Sequence, residues 1–232
     1  MLDQGHLPEL SAATRRLVRS VDAMPDPAYA EPSLLPRWTR AHVVAHLTLN
    51  AEGLAGALRG LTEGRQVPMY ASQEARDADI ETLAGCDPSA IRGRLLGAVT
   101  DFTDAVAAVP DDAADRLIER TPGSGRTFPA REVPLMRHRE VEIHHADLGL
   151  GYTRADWPPE FAVRLIDSAV ARPYPEALTL HATDLDRTWH LHEGVGPTVS
   201  GTAADLGWWI TGRGAGEGLS CDDGPLPGME AW

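Results

Sequence analysis

Through its first 150 residues the chain repeats apolar side chains at steps of three and four, beginning with Leu10, Ala13, Leu17, Val21 and Met24. At about 3.6 residues per turn these positions share one side of a helix, and a helix with one apolar side must bury it against another element. A second series, Val43, Leu47, Leu54 and Leu58, follows Trp38, with Thr39 placed to cap it and Gly60 weakening its far end. Asp87-Pro88 opens a third, in which the Asp caps, the Pro fills the first turn, and Ile91, Leu95, Val99, Phe102, Val106 and Val109 continue the face. The fourth starts near Pro129. There Val133, Met136, Glu140, Ile143, His144 and Asp147 share a side, and Gly149 is placed to end the helix. Four long helices predict a bundle.

After Tyr152 the pattern changes. A short helical period at Phe161, Leu165 and Ala169 gives way to alternating segments at Leu178 to His181 and Thr188 to His192, which read as strands. A third strand, Pro197 to Ser200, leads into a helix capped by Thr202 and closed by Gly212, and the tail is rich in Gly and Pro. The expected fold class is α+β, with a four-helix bundle over 1–151 and a small α/β domain over 152–232. A unit of about 80 residues is at the low end for independent stability and is expected to lean on the bundle.

Composition narrows the function. The chain of 232 residues has 21 basic and 34 acidic side chains, a formal net charge of -13. That balance argues against nucleic acid or an anionic membrane surface as partner, since both require a basic face. All the basic residues are Arg, so no lysine can form a Schiff base, anchor pyridoxal phosphate or serve a phosphate loop. The missing Lys and the single Asn, Asn50, point to a GC-rich genome. Cys86 and Cys221 form no CxxC pattern and are expected to be ordinary thiols; Cys86 has no predicted base beside it. The segment MLDQGHLPEL lacks the regions of a signal peptide, and no apolar run approaches the roughly 20 residues of a membrane span. A cytoplasmic monomer is expected.

Glu140 and His144 stand four residues apart on a face where Val133 and Met136 predict a core, and unpaired burial of such groups would be costly. His46 sits in the same way among Val43, Leu47 and Leu54. A divalent cation would satisfy all three, and three nitrogen and oxygen ligands leave positions open for water or substrate, as in catalytic zinc and some non-haem iron sites. The competing reading is a helix-surface ion pair beside a hydrogen-bonded core histidine. His138 and His145 point away from this face and are expected to be exposed. Asp147 could orient His144 from one turn further on, or could be solvated at the helix end; His42 is similarly ambiguous. Of Trp208 and Trp209, one is expected in the core and one at an interface.

The segments WTRAHVVAHLTLNAEGL, MYASQEARDADIE and RHREVEIHHADLGLGY resemble the mycothiol-dependent maleylpyruvate isomerase family, and GTAADLGWWITGR is similar to its C-terminal domain. The resemblance implies a DinB-like four-helix bundle joined to a small α/β domain of sterol-carrier type. It implies a divalent metal, usually Zn2+, held by His46, Glu140 and His144, and functional arginines at Arg76, in the SQEARDADI loop, and Arg213, in the WITGR segment. It also implies mycothiol as cofactor and a dianionic small-molecule substrate, with maleylpyruvate isomerised to fumarylpyruvate on a gentisate pathway by thiolate addition, bond rotation and elimination. Two other functions remain open: a mycothiol S-transferase acting on another electrophile, and a non-catalytic metal-dependent binding bundle.

Overall fold

In a computed structural model, which describes residues 6–172, 174, 176–192 and 194–229, the chain divides into two units, Met1–Gly151 and Tyr152–Trp232. The first is built on α1 (Leu7–Ala23), α2 (Arg40–Thr62), α4 (Pro88–Ala108) and α5 (Val133–Asp147), packed in a ring in the order α1, α5, α2, α4. Helix α1 buries the four residues its period predicts, Leu10, Ala13, Leu17 and Val21. Helix α2 is buried well beyond one stripe because α4, α5 and a further helix all pack on it.

That further helix, α3 (Gln73–Ala84), lies where the sequence suggests a loop. It buries only Ile80 and Leu83, too few apolar residues to make a period. Its start is fixed by Ser72, whose hydroxyl accepts from the Ala75 amide at 3.0 Å. A short hairpin was also missed. Strand β1 (Leu117–Glu119) pairs antiparallel with β2 (Thr127–Pro129), with Ile118 opposite Phe128. Pro129 therefore belongs to a strand, and α5 begins at Val133 after a 3-10 turn, Ala130–Glu132. Asp87 stands at the cap position just before α4, where its carbonyl accepts from Ala90 and Ile91; its side chain makes no capping bond.

The segment between α2 and α3 lies against both α2 and the hairpin. Met69 and Tyr70 donate their amides to the carbonyls of Glu119 and Arg120, each at 2.9 Å. This close approach needs Gly53, where an added Cβ would stand 2.7 Å from the Met69 carbonyl oxygen.

The second unit contains α6 (Pro159–Val170), β3 (Leu178–Ala182), β4 (Arg187–Leu191), β5 (Thr198–Gly201), α7 (Ala203–Ile210) and β6 (Ser220–Cys221). The sheet order is β4-β3-β5-β6, with β3 antiparallel to β4, parallel to β5, and β5 antiparallel to β6. Leu178, Leu180, Trp189, Leu191 and Val199 pack from the sheet against Ala162, Ile166, Leu206 and Trp209 of the two helices. Thr202 caps α7, accepting from the Asp205 amide at 3.1 Å. His192 falls just outside β4 with φ 62°, and the tail supplies the short β6. Trp208 and Trp209 are both buried; Trp209 packs in the core of this unit, and Trp208 lies 5.8 Å from the Trp157 ring. Among the described residues no helix is long and apolar enough to cross a membrane.

Candidate metal centre

Helix α2 carries His46 between Ala45 and Leu47, both fully buried, which aims the imidazole into the bundle. Helix α5 brings Glu140 and His144, one turn apart, to the same point. His46 Nε2 lies 2.8 Å from Glu140 Oε2, His144 Nε2 lies 3.2 Å from the same oxygen, and the two imidazoles stand nearly perpendicular with centroids 4.6 Å apart. One ligand atom from each residue falls within 4.8 Å of the others. Ligands bound tetrahedrally at about 2.1 Å are separated by about 3.4 Å, so small side-chain adjustments, with the two nitrogen–oxygen contacts opening slightly, would seat the three on one divalent ion. Two imidazoles and a carboxylate are the right chemistry for zinc or a non-haem divalent metal, and this triad could bind one. Both imidazoles are buried, while the Glu140 side chain keeps 20% of its surface exposed, so the centre opens toward solvent on the carboxylate side.

The surroundings orient each donor. Asp147 lies 2.8 Å from Nδ1 of His144, the arrangement that fixes an imidazole with its Nε2 facing a metal. Arg76, on α3 rather than in a loop, points Nη2 at Nδ1 of His46 across 3.0 Å, while its Nη1 pairs with Asp77 at 2.7 Å. Trp38 closes one flank, its ring centroid 5.7 Å from that of His46. Beneath the centre, the fully buried Arg137 donates Nη1 to the Leu47 carbonyl at 2.8 Å and to Asn50 Oδ1 at 2.7 Å, and among the described residues its Nη2 has no hydrogen-bond partner.

Burial and the two carboxylates set the charge states. Burial lowers the His46 pKa to about 4, against the opposing pull of Glu140. Burial would raise Glu140, yet the bonds from His144 and His46 hold it well below the usual carboxylate range. Burial also works to lower His144, but Asp147 and Glu140 outweigh it and its pKa is raised. In the metal-free centre one carboxylate is thus shared by His144, which holds its proton more tightly than an ordinary imidazole, and His46, which gives its proton up more readily.

The other histidines have different roles. His42 Nδ1 sits 3.2 Å from the Thr39 amide, closing the start of α2, while its Nε2 reaches Glu81 of α3 at 3.2 Å. His138 and His145, expected at the surface, are both 1% exposed. The face of α5 turned from the centre is covered too: Arg16 of α1 pairs with the buried Glu142 at 2.6 Å, and His145 lies 2.8 Å from the Ser20 hydroxyl. Arg213, in the second unit, is nearly buried; it donates to the Thr211 carbonyl at 3.2 Å and lies 5.8 Å from the Trp208 ring. Cys86 and Cys221 are free thiols. Sequence reasoning passed over Tyr70, Trp38, Arg120 and Arg137. Arg137 has the only signal a sequence could offer, a position three residues before Glu140 on a buried helix.

Fold and site together define a DinB-like helical bundle with a candidate His/Glu/His metal site, followed by a small mixed α/β unit. Residues 10–149 match the model of the mycothiol maleylpyruvate isomerase N-terminal domain, and the chain belongs to this family. Over 99% of its length it superposes on a crystal structure of the mycothiol-dependent maleylpyruvate isomerase, covering 96% of that chain with TM-score 0.90 and 29% identity. A histidine-to-alanine mutant of that isomerase superposes with TM-score 0.89 and 28% identity, at the same coverage of both chains. No curated protein sequence matches significantly.

Proposed function

We propose that the protein is a mycothiol-dependent cis-trans isomerase that binds a divalent cation, Zn2+, at His46, Glu140 and His144 and converts maleylpyruvate to fumarylpyruvate. The convergence of these three donors in a bundle of this family carries the reading. The family's structural relatives act in the presence of a thiol, and the chain has no lysine to offer a competing nucleophilic amine. When bound, the cation would hold the thiol as thiolate at neutral pH, and the thiolate's addition to and departure from the cis double bond would leave time for rotation.

The chain's own residues bind and orient. His46 and His144 present Nε2 to one point, Asp147 fixes the His144 ring, and the exposed edge of Glu140 leaves an approach for ligand. Arg76 has a guanidinium beside this point and is suited to grip a substrate carboxylate through its planar fork. Arg213 is proposed to stabilise the enolate charge that develops on the substrate. Small anions and a low-molecular-weight thiol are the proposed partners of a monomer.

Turnover of maleylpyruvate with and without mycothiol, following thiol concentration throughout, tests the reading. An isomerase requires thiol and leaves its concentration unchanged. Stoichiometric loss of thiol would instead make the protein an S-transferase, and no reaction with either substrate would leave a binding bundle.

A further inference from the structure

Tyr70 and Arg120 are joined through their backbones, and Arg76 meets the same ring. The guanidinium carbons of Arg76 and Arg120 stand 5.7 Å and 5.5 Å from the Tyr70 ring centroid. Two cations gathered on one ring repel each other, and a protein with 13 more acidic than basic side chains has ample means to neutralise them. Arg16, Arg40, Arg92, Arg94 and Arg187 each pair with a carboxylate. Arg120 does not. Among the described residues it has no carboxylate partner, and its guanidinium donates only to the neutral Gln73 Oε1, at 2.9 Å. Burial lowers its pKa and outweighs the raising pull of Tyr70 and Glu140, with the charges of Arg76 and Arg126 adding to the lowering.

The arrangement is also held in place. The Tyr70 amide donates to the Arg120 carbonyl, the Arg120 amide donates to the Arg126 carbonyl, both at 2.9 Å, and Gly53 admits the Met69–Tyr70 backbone to the side of α2. A half-buried guanidinium with no directly paired carboxylate among the described residues, on a hydrogen-bonded backbone, is suited to receive an anion. Its place is next to the donor set, since Arg76 reaches both the Tyr70 ring and Nδ1 of His46.

We propose that Arg120, with Arg76 across the Tyr70 ring, forms a carboxylate-binding site that grips one carboxylate of the dianionic substrate. The dicarboxylate nature of that ligand rests on the isomerase reading above. Arg120 is a specificity-determining binding residue: it selects substrates that carry a second carboxylate and does not touch the metal ligands.

The probe is maleate, titrated calorimetrically into the full-length protein. Maleate should bind the unaltered protein, and Arg120→Gln should weaken it by roughly tenfold or more, as expected for loss of charge-assisted bonds. Arg120→Lys should fall between. Metal content should not change, and KM for maleylpyruvate should rise in Arg120→Gln with kcat nearly constant. In the unaltered protein, maleate should protect Arg120 from phenylglyoxal, read by peptide mass spectrometry; this arm needs no variant to fold. Failure of maleate to bind, binding to Arg120→Gln within twofold of the unaltered protein, or absence of protection would overturn the site. If maleylpyruvate is not turned over but maleate binds through Arg120, the isomerase reading falls and the carboxylate site stands. If turnover persists while maleate binding ignores Arg120, the site alone falls.

Discussion

Arg76 Nη2 lies 3.0 Å from Nδ1 of His46. An arginine can only donate, so Nδ1 must be the bare nitrogen and the single proton of the neutral imidazole sits on Nε2, where it donates to Glu140 at 2.8 Å. That is the opposite tautomer from the one a metal needs. A cation at Nε2 would move the proton to Nδ1, where it would face an N–H of Arg76. Metal loading would therefore break the Arg76–His46 bond and free the guanidinium for a ligand. A hydrogen bond of this kind contributes about 1 kcal/mol, so Arg76→Met should tighten metal binding by roughly fivefold or more. Chelator competition checks it, and an unchanged or weaker affinity would contradict the tautomer assignment.

His46→Ala and His144→Ala should each lose metal on dialysis, read by elemental analysis, whereas His138→Ala should keep it. Asp147→Asn should retain the fold but weaken metal affinity by about 10–100-fold, the usual effect of removing the carboxylate behind a ligating histidine. Full metal content in His46→Ala would reject the ligand set.

Metal affinity should depend on pH in a way the two histidines divide between them. His144 holds its proton above the ordinary value because Asp147 and Glu140 flank it, in spite of burial, and a cation at Nε2 must displace that proton. Affinity should be level above the raised pKa and fall about tenfold for each pH unit below it. His46, lowered to about 4 by burial, adds a second displaced proton only near that pH. Chelator competition from pH 5 to 6.5 should show a slope of one proton, since that window lies below the raised pKa, and a slope of zero there would remove His144 from the ligand set.

Two glycines of α2 should respond in opposite directions to the same change. A Cβ at Gly53 would meet the Met69 carbonyl oxygen at 2.7 Å, while one at Gly56 would meet nothing within 4 Å. Gly56→Ala should stabilise by up to about 1 kcal/mol through helix propensity. Gly53→Ala gains the same propensity but must shift the Met69–Tyr70 backbone, and should destabilise by about 1–3 kcal/mol. Thermal unfolding of the pair decides it; equal shifts would mean the segment yields freely.

Arg213→Ala should lower turnover about a hundredfold, the scale of losing a preorganised charge at a developing oxyanion, with metal content intact. Arg213→Lys should recover part of it, keeping the charge and losing the fork. Near-normal turnover in Arg213→Ala would leave the contact with the Thr211 carbonyl as its whole role.

Helices α1, α2 and α4 were legible because each buries an apolar series long enough to set a period. His46 and Glu140 with His144 were legible for the same reason, as ionisable groups interrupting that series. Helix α3 was not, since its two buried residues, Ile80 and Leu83, define no period, and with it went the true setting of Arg76. The hairpin strands are three residues long, too short for alternation, so Arg120 had no pattern to stand out from. His138 and His145 were assigned to solvent on the assumption that a helix has one wet side. Helix α5 has none to spare: its second side holds ionic and polar contacts to α1, invisible to a count of apolar residues.

This all-round burial of α5 governs how the protein can vary. From Val141 to Asp147 every residue is buried, and the polar ones are matched to particular partners on α1 or in the centre. A substitution there has no neutral direction, because a smaller residue leaves a void and a differently charged one leaves a partner stranded. In a saturation mutagenesis screen this stretch should tolerate the fewest replacements of any helix. New substrate ranges would then arise by drift in α3 and the hairpin, which hold Arg76 and Arg120 at the rim, while the donor set behind them stays fixed.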